Sequence, residues 1–202
     1  MKSKLEKLKG TCIGIAGCGG LGSNCAMALA RVGVGSLVIV DFDVVTLENL
    51  DRQYYFIDQV GQKKVLALRE NIRRVNPDID IQAHDLRLGP DGVVDIFKNC
   101  NLVIEAFDRA DMKLMLIETV TERFPDKFII AASGLAGYGN NNAMRTRRLG
   151  SLFICGDEVS EVSTELPPLA PRVAMVAAMQ ANQALEIVLD DLALLGDDDA
   201  WD

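Results

Sequence analysis

Three glycines at G-x-G-x-x-G spacing, Gly17, Gly19 and Gly22, follow an apolar run over residues 11–16 and precede a helical pattern over 21–32. Few local sequences restrict a fold so tightly. The first glycine permits a tight turn out of a strand, the second lets a phosphate approach the backbone, and the third lets the following helix pack on the strand. Free N–H groups and the positive end of the helix dipole then attract an anion. Gly20 belongs to the same loop. The spacing implies the phosphate of a nucleotide. It specifies neither the nucleotide nor the reaction, and a strand-to-helix turn with no ligand would carry the same glycines.

The rest of the chain repeats this unit. Apolar runs over 36–40, 79–84, 102–106 and 128–132 read as strands, and helical patterns fill 59–75, 91–98 and 110–124, with 44–57 left as an irregular loop. Alternation of this kind predicts an α/β, Rossmann-like fold: an open, mostly parallel sheet with helices on both faces. Beyond residue 137 the pattern changes. The basic stretch 145–148 and the apolar run 152–155 read as two extra C-terminal strands, for which an antiparallel arrangement is open. Residues 157–169 read as a flexible acidic loop, 172–189 as an Ala- and Met-rich helix, and Asp197–Asp199 with Asp202 as a solvated acidic end. The helix over 172–189 suits either the core or an interface. A chain of 202 residues is enough for one domain spanning 1–202.

Composition excludes several classes of function. The net charge of −8 opposes nucleic-acid binding, which needs a basic surface. No apolar run is long enough to span a membrane, and residues 1–9 lack the apolar core of a signal peptide, so a cytoplasmic location is expected. The cysteines Cys12, Cys18, Cys25, Cys100 and Cys155 form no C-x-x-C pair and His84 is the one histidine, so no zinc site is expected.

A second constellation follows the glycines. Asp41-Phe42-Asp43 ends the second strand, with Asp41 at 19 positions after Gly22, where an acidic residue accepts hydrogen bonds from a ribose. Asp43 either joins it or shapes the turn. Next come Asn49-Leu50-Asp51-Arg52-Gln53 and Val60-Gly61-Gln62-Lys63-Lys64-Val65, and Asp108 ends the fourth strand, where it would also suit a helix N-cap. In this order the motifs resemble the ThiF/MoeB/HesA family, bacterial relatives of ubiquitin-activating enzymes. The stretches Ser133-Gly134-Leu135-Ala136-Gly137, Phe153-Ile154-Cys155-Gly156-Asp157 and Ala170-Pro171-Arg172-Val173 are similar to its short, zinc-free ThiF branch.

The resemblance implies ATP-dependent adenylation of the C-terminal glycine carboxylate of a ubiquitin-like sulfur carrier, with release of pyrophosphate. For the ThiF branch the carrier is a ThiS-like protein with a Gly-Gly end, serving thiamine thiazole synthesis; a molybdopterin or amino-acid sulfur pathway is the alternative. It also implies a homodimer. Arg52 and Lys64 are then expected to bind the ATP phosphates and stabilise the charge passing to pyrophosphate, and Asp108 to hold Mg²⁺. Gly17, Gly19, Gly20, Gly22, Asp41, Asp43, Asn49 and Gln53 complete the expected nucleotide site. The chemistry agrees, because a carboxylate attacking phosphorus is already ionised and needs positioning and charge neutralisation rather than a general base. Lys63 rivals Lys64; Lys64 directly precedes the apolar Val65, as the family lysine does. Arg109 stands where the family often has Asn. Cys155 is a candidate for a carrier-linked thiol, against the alternative of a small buried residue beside the acidic Asp157 and Glu158. Residues 1–10 carry Lys2, Lys4, Lys7 and Lys9 but no arginine, where many members reach one into a partner subunit; it is either absent here or replaced by lysine. Outside the resemblance, the glycine loop and Asp41 alone also suit an NAD-dependent oxidoreductase, and the chain could hold nucleotide and carrier without catalysis.

Overall fold

The computed structural model describes residues 3–190, so the acidic end at 197–202 lies outside the described residues, as does Lys2. One seven-stranded sheet runs through the molecule. Its strands are β1 (Cys12–Ala16), β2 (Ser36–Asp41), β3 (Asp80–Asp85), β4 (Leu102–Glu105), β5 (Phe128–Ala132), β6 (Arg145–Leu149) and β7 (Leu152–Gly156). They lie in the order β3-β2-β1-β4-β5-β7-β6. All neighbours are parallel except β6 and β7. Of the two extra strands, β7 therefore extends the parallel sheet and only β6, returning after it on the edge, is antiparallel. The fold is Rossmann-like, as the alternation predicts.

Parallel strands covered on both faces are apolar throughout, and β1, β2, β4 and β5 are buried almost from end to end. One face is covered by α2 (Gly20–Arg31), α3 (Lys64–Val75) and α6 (Ala170–Leu189), the other by α4 (Pro90–Phe97) and α5 (Ala110–Arg123). On the first face Ile13, Ile15, Leu37, Ile39 and Ile104 meet Leu29, Leu68, Val176 and Ala184; on the second Val38, Val103 and Ile129 meet Phe97, Leu116 and Val120. The small residues Ala177, Ala181 and Ala184 bring α6 against α2, so its apolar face is core.

Two local expectations are revised and one helix is added. The helix expected over 59–75 starts at Lys64, because Gly61 adopts a left-handed φ of 89° and the tight turn Ile57–Gln59 precedes it. Gln59 is buried there and exchanges side-chain hydrogen bonds with Asn71 at 2.8 and 3.0 Å. The N-terminal lysines form α1 (Lys4–Lys9), capped reciprocally by Ser3 and Glu6. It docks on the end of α6, where Lys7 donates to the carbonyl of Leu189 at 3.0 Å. Finally, residues 157–169 have definite anchors: Asp157 accepts from Val159 and Ser160 N–H groups at 3.0 and 2.9 Å. Among the described residues no helix is long and apolar enough to cross a membrane.

Candidate nucleotide-binding cleft

The carboxyl ends of the parallel strands open onto a cleft of about 1130 Å³, the position at which open α/β sheets bind ligands. The glycine loop forms its floor. Gly17 leaves β1 with a left-handed φ of 99°, and a Cβ there would lie 2.7 Å from the carbonyl oxygen of Ala106. A Cβ on Gly22 would collide with the carbonyl of Gly17, so only glycine lets α2 start this close to the strand. Gly22 thus builds the loop without lining the cleft, whereas Gly17, Gly19 and Gly20 line it. The first turn of α2 contains no acidic residue and has no side-chain cap, which leaves its N-terminal N–H groups for an anion.

Asp41 ties this loop to β2. Its carboxylate accepts from the Cys18 N–H at 2.6 Å and from the Asp43 N–H at 2.8 Å. Asp43 in turn holds the Lys64 ammonium at 2.9 Å, and the Lys64 side chain is only 7% exposed. The first residue of α3 therefore presents its charge at the cleft wall. Lys63 points elsewhere, 3.3 Å from Asp85, and does not line the cleft.

Arg52 is held by its backbone. Asn24, one turn into α2, donates to the Arg52 carbonyl at 2.9 Å, and the Ser23 hydroxyl accepts from the Tyr54 N–H at 2.9 Å. These bonds clamp the segment carrying Arg52 and Gln53 over the glycine loop. The guanidinium itself contacts Asp51 at 2.6 Å, an exposed partner that is weakly held and readily exchanged. Gln53 lines the cleft with a buried amide oxygen that has no hydrogen-bond partner. Asn49 does not line it; its amide oxygen accepts from the Thr46 N–H at 3.1 Å and closes the turn Leu47–Asp51.

Asp108 stands exposed on the opposite wall. The N-cap of α5 is Arg109, so the Asp108 carboxylate is not consumed as a helix cap. Arg109 pairs with Asp111 through two bonds of 3.0 and 2.6 Å. Among the described residues no three His, Cys, Asp or Glu side chains converge as a metal cage. Magnesium held mainly by phosphate and water needs only one or two carboxylates, and Asp108 fits that donor set.

The cleft thus gathers the glycine loop at an uncapped helix N-terminus, the Arg52 guanidinium, the Lys64 ammonium and the exposed Asp108 carboxylate. Residues 1–198 match the ThiF family. The chain belongs to that family. Among its relatives, the probable adenylyltransferase/sulfurtransferase MoeZ of Mycobacterium tuberculosis is 40% identical over 104 residues, 51% of this chain and 26% of that one. The adenylyltransferase and sulfurtransferase UBA4 of Saccharomyces cerevisiae is 30% identical over 195 residues, 91% of this chain and 43% of that one. The chain spans less than half the length of these relatives. Among solved structures, the Escherichia coli tRNA N6-threonylcarbamoyladenosine dehydratase TcdA in complex with AMP superposes with a TM-score of 0.86 at 22% identity, covering 95% of this chain and 91% of that one. Its complex with ATP gives 0.85 at 23% identity, covering 96% and 91%. This likeness shows a shared fold.

In and behind this cleft are residues that motif reading passed over. Glu105, the last residue of β4, is fully buried and bound to the Lys113 ammonium at 2.8 Å and the Phe107 N–H at 2.6 Å. Burial pushes its carboxyl up, while Lys113 draws it partly back. Lys113 also lines the cleft. A lone acid ending an apolar strand was the available signal. Phe42 stacks on Arg87, with the guanidinium carbon 5.9 Å from the ring centre, and both line the cleft; nothing in the spacing marked Arg87. At the rim, Arg172 forms a buried ion pair with Asp157, whose side chain also accepts from the Ser160 hydroxyl at 2.9 Å. That turn places Ser160, Glu161 and Val162 along the cleft.

Cys155 is not brought to the cleft. It is fully buried in β7 beside the Thr146 hydroxyl, and burial pushes its thiol up to about 11. In this conformation it has neither the exposure nor the thiolate character that a carrier-linked thiol would need. The acidic neighbours are not the cause, since Asp157 is bound to Arg172 and Glu158 to Arg145 and Arg147.

Proposed function

We propose that this chain adenylates the C-terminal carboxylate of a ubiquitin-like carrier protein at the expense of ATP. The carrying observation is the convergence of the glycine loop, Arg52, Lys64 and Asp108 on one cleft. In this reading the α2 N-terminus and the glycine backbone receive phosphate oxygens, and Asp41 meets the ribose. A carboxylate oxygen of the carrier attacks the α-phosphorus. The bond from that phosphorus to the oxygen bridging to the β-phosphate breaks, and pyrophosphate leaves with the electron pair. No proton is transferred. Arg52 offers a planar fork and Lys64 a compact charge to the oxygens on which negative charge accumulates. Asp108 would hold magnesium, which would neutralise phosphate charge.

The names of MoeZ and UBA4, adenylyltransferase and sulfurtransferase, support this chemistry and a sulfur carrier as the protein substrate. A ThiS-like carrier of thiamine synthesis, and a homodimeric enzyme, are the finer reading; they rest on the resemblance to the short ThiF branch. The test is exchange of labelled pyrophosphate into ATP in the presence of magnesium. Exchange is expected only with a Gly-Gly-ended carrier, and ranking ThiS-like against MoaD-like carriers assigns the pathway. No exchange with any such carrier, or binding of NADH without binding of ATP, would overturn the proposal.

A further inference from the structure

The amino ends of the strands, opposite the cleft, hold a feature that adenylation does not use. Cys12 begins β1 and Cys100 immediately precedes β4, the neighbouring parallel strand. Asn101 locks the two together: its N–H donates to the Cys12 carbonyl at 2.8 Å, and its amide oxygen accepts from the Cys12 N–H at 2.8 Å. The two sulfurs lie 3.6 Å apart and share a hydrogen bond. We infer that Cys12 and Cys100 form a redox-active dithiol, oxidised to an intramolecular disulfide by a low-molecular-weight disulfide of the glutathione class.

The two thiols have distinct roles. Cys12 is partly exposed, and Cys100 is buried. The hydrogen bond that the two sulfurs share favours the Cys12 thiolate against the effect of burial, with Ser36 and the Lys127 ammonium on the same side and Asp80 opposing it. Cys12, the thiol that an external disulfide can reach, is the nucleophile. Its thiolate attacks one sulfur of the external disulfide, forming a mixed disulfide and releasing one thiolate. Cys100 is held up mainly by that same hydrogen bond, with burial and the Cys12 charge adding to it. The mixed disulfide removes both the bond and the charge. Cys100 then loses its proton and attacks the Cys12 sulfur, releasing the second thiolate. The chain gives up two electrons, and one external disulfide becomes two thiols. The sulfurs need to close from 3.6 Å to about 2 Å, a movement that side-chain rotation and small backbone shifts supply. Asn101, which bridges the pair's strands, also lines a depression of about 390 Å³ together with Arg123, Asp126 and Lys127 among others; neither cysteine lines it.

The remaining cysteines are internal controls. Cys18, Cys25 and Cys155 are fully buried, and burial raises each thiol. The test treats the reduced full-length chain with oxidised glutathione, then alkylates under denaturing conditions. The expected product has lost two hydrogens, takes up three alkyl groups instead of five, and yields a peptide linking residues 12 and 100. Cys100→Ser should instead retain one glutathione on Cys12. A wild-type chain that stays fully alkylatable, keeps a glutathione adduct on Cys12, or links other cysteines would overturn the inference.

Discussion

Arg52 shows how a charge can be both placed and available. Its backbone is fixed to α2 through Asn24, while its guanidinium rests on Asp51, an exposed neighbour that a phosphate outcompetes. Arg52→Ala should therefore reduce carrier-dependent pyrophosphate exchange about a hundredfold while leaving the thermal midpoint nearly unchanged. Exchange near the wild-type rate would remove Arg52 from the reaction. Asp157 behaves differently. Burial opposes its charge, but N–H groups of Ser160 and Val159, the Ser160 hydroxyl and Arg172 outweigh that and hold its carboxyl below the usual range. A depressed folded-state value stabilises the fold above the unfolded value, about 3.9, and this stabilisation is lost as pH falls through the folded one. Asp157→Asn should cost about 3 kcal/mol at neutral pH, because Arg172 stays buried without its partner. The deficit should shrink on acidification; melting curves across pH that remain parallel would contradict this. The charged residues and glycines expected at the cleft were legible as types at spacings: Gly17, Gly19, Gly20, Asp41, Arg52, Lys64 and Asp108. Asn49 was legible only as part of a motif, since the same amide that suits a nucleotide also closes a turn. Glu105, Lys113 and Arg87 depend on contacts between elements distant in sequence, which spacing does not encode.

At the scale of the elements, the alternation of apolar runs and helical patterns located every parallel strand and every main helix. It overran at 59–63, where the pattern continues but Gly61 turns the backbone, and it passed over α1, whose capping residues Ser3 and Glu6 were present in the sequence. The direction of β7 could not be read, because a five-residue apolar run pairs as well parallel as antiparallel. The end of α4 illustrates what element boundaries cost. Helix carbonyls at a C-terminus lack intrahelical partners, and here Lys127 supplies them, donating to Phe97, Lys98 and Cys100 at 2.7, 3.2 and 2.6 Å. Burial lowers its ammonium pKa, yet three carbonyls surround the charge. Lys127→Met should destabilise the chain by about 2 kcal/mol, the scale of hydrogen bonds to a charged group, as measured by denaturant unfolding. An unchanged midpoint would show that water replaces the lysine at no cost.

For the whole molecule, the sheet divides labour between its two ends. Carboxyl ends of strands carry the cleft, and amino ends carry the paired thiols and the lysine clasp. The lateral borders matter as well. β6 closes the sheet on one side with only β7 as its partner among the described residues. Its outer backbone groups would be a ready template for a strand from another copy. Arg145 and Arg147 stand exposed on that strand, and both reach Glu158, with Arg147 at 3.1 and 2.9 Å. A second copy adding on here would have to strip water from two guanidiniums, an energetic deterrent to open-ended stacking. Replacing both by valine should leave the cleft intact but produce time-dependent light scattering at concentrations where the parent stays clear. On this argument the basic stretch 145–148 is expected to serve as a fence against self-propagating polymerisation.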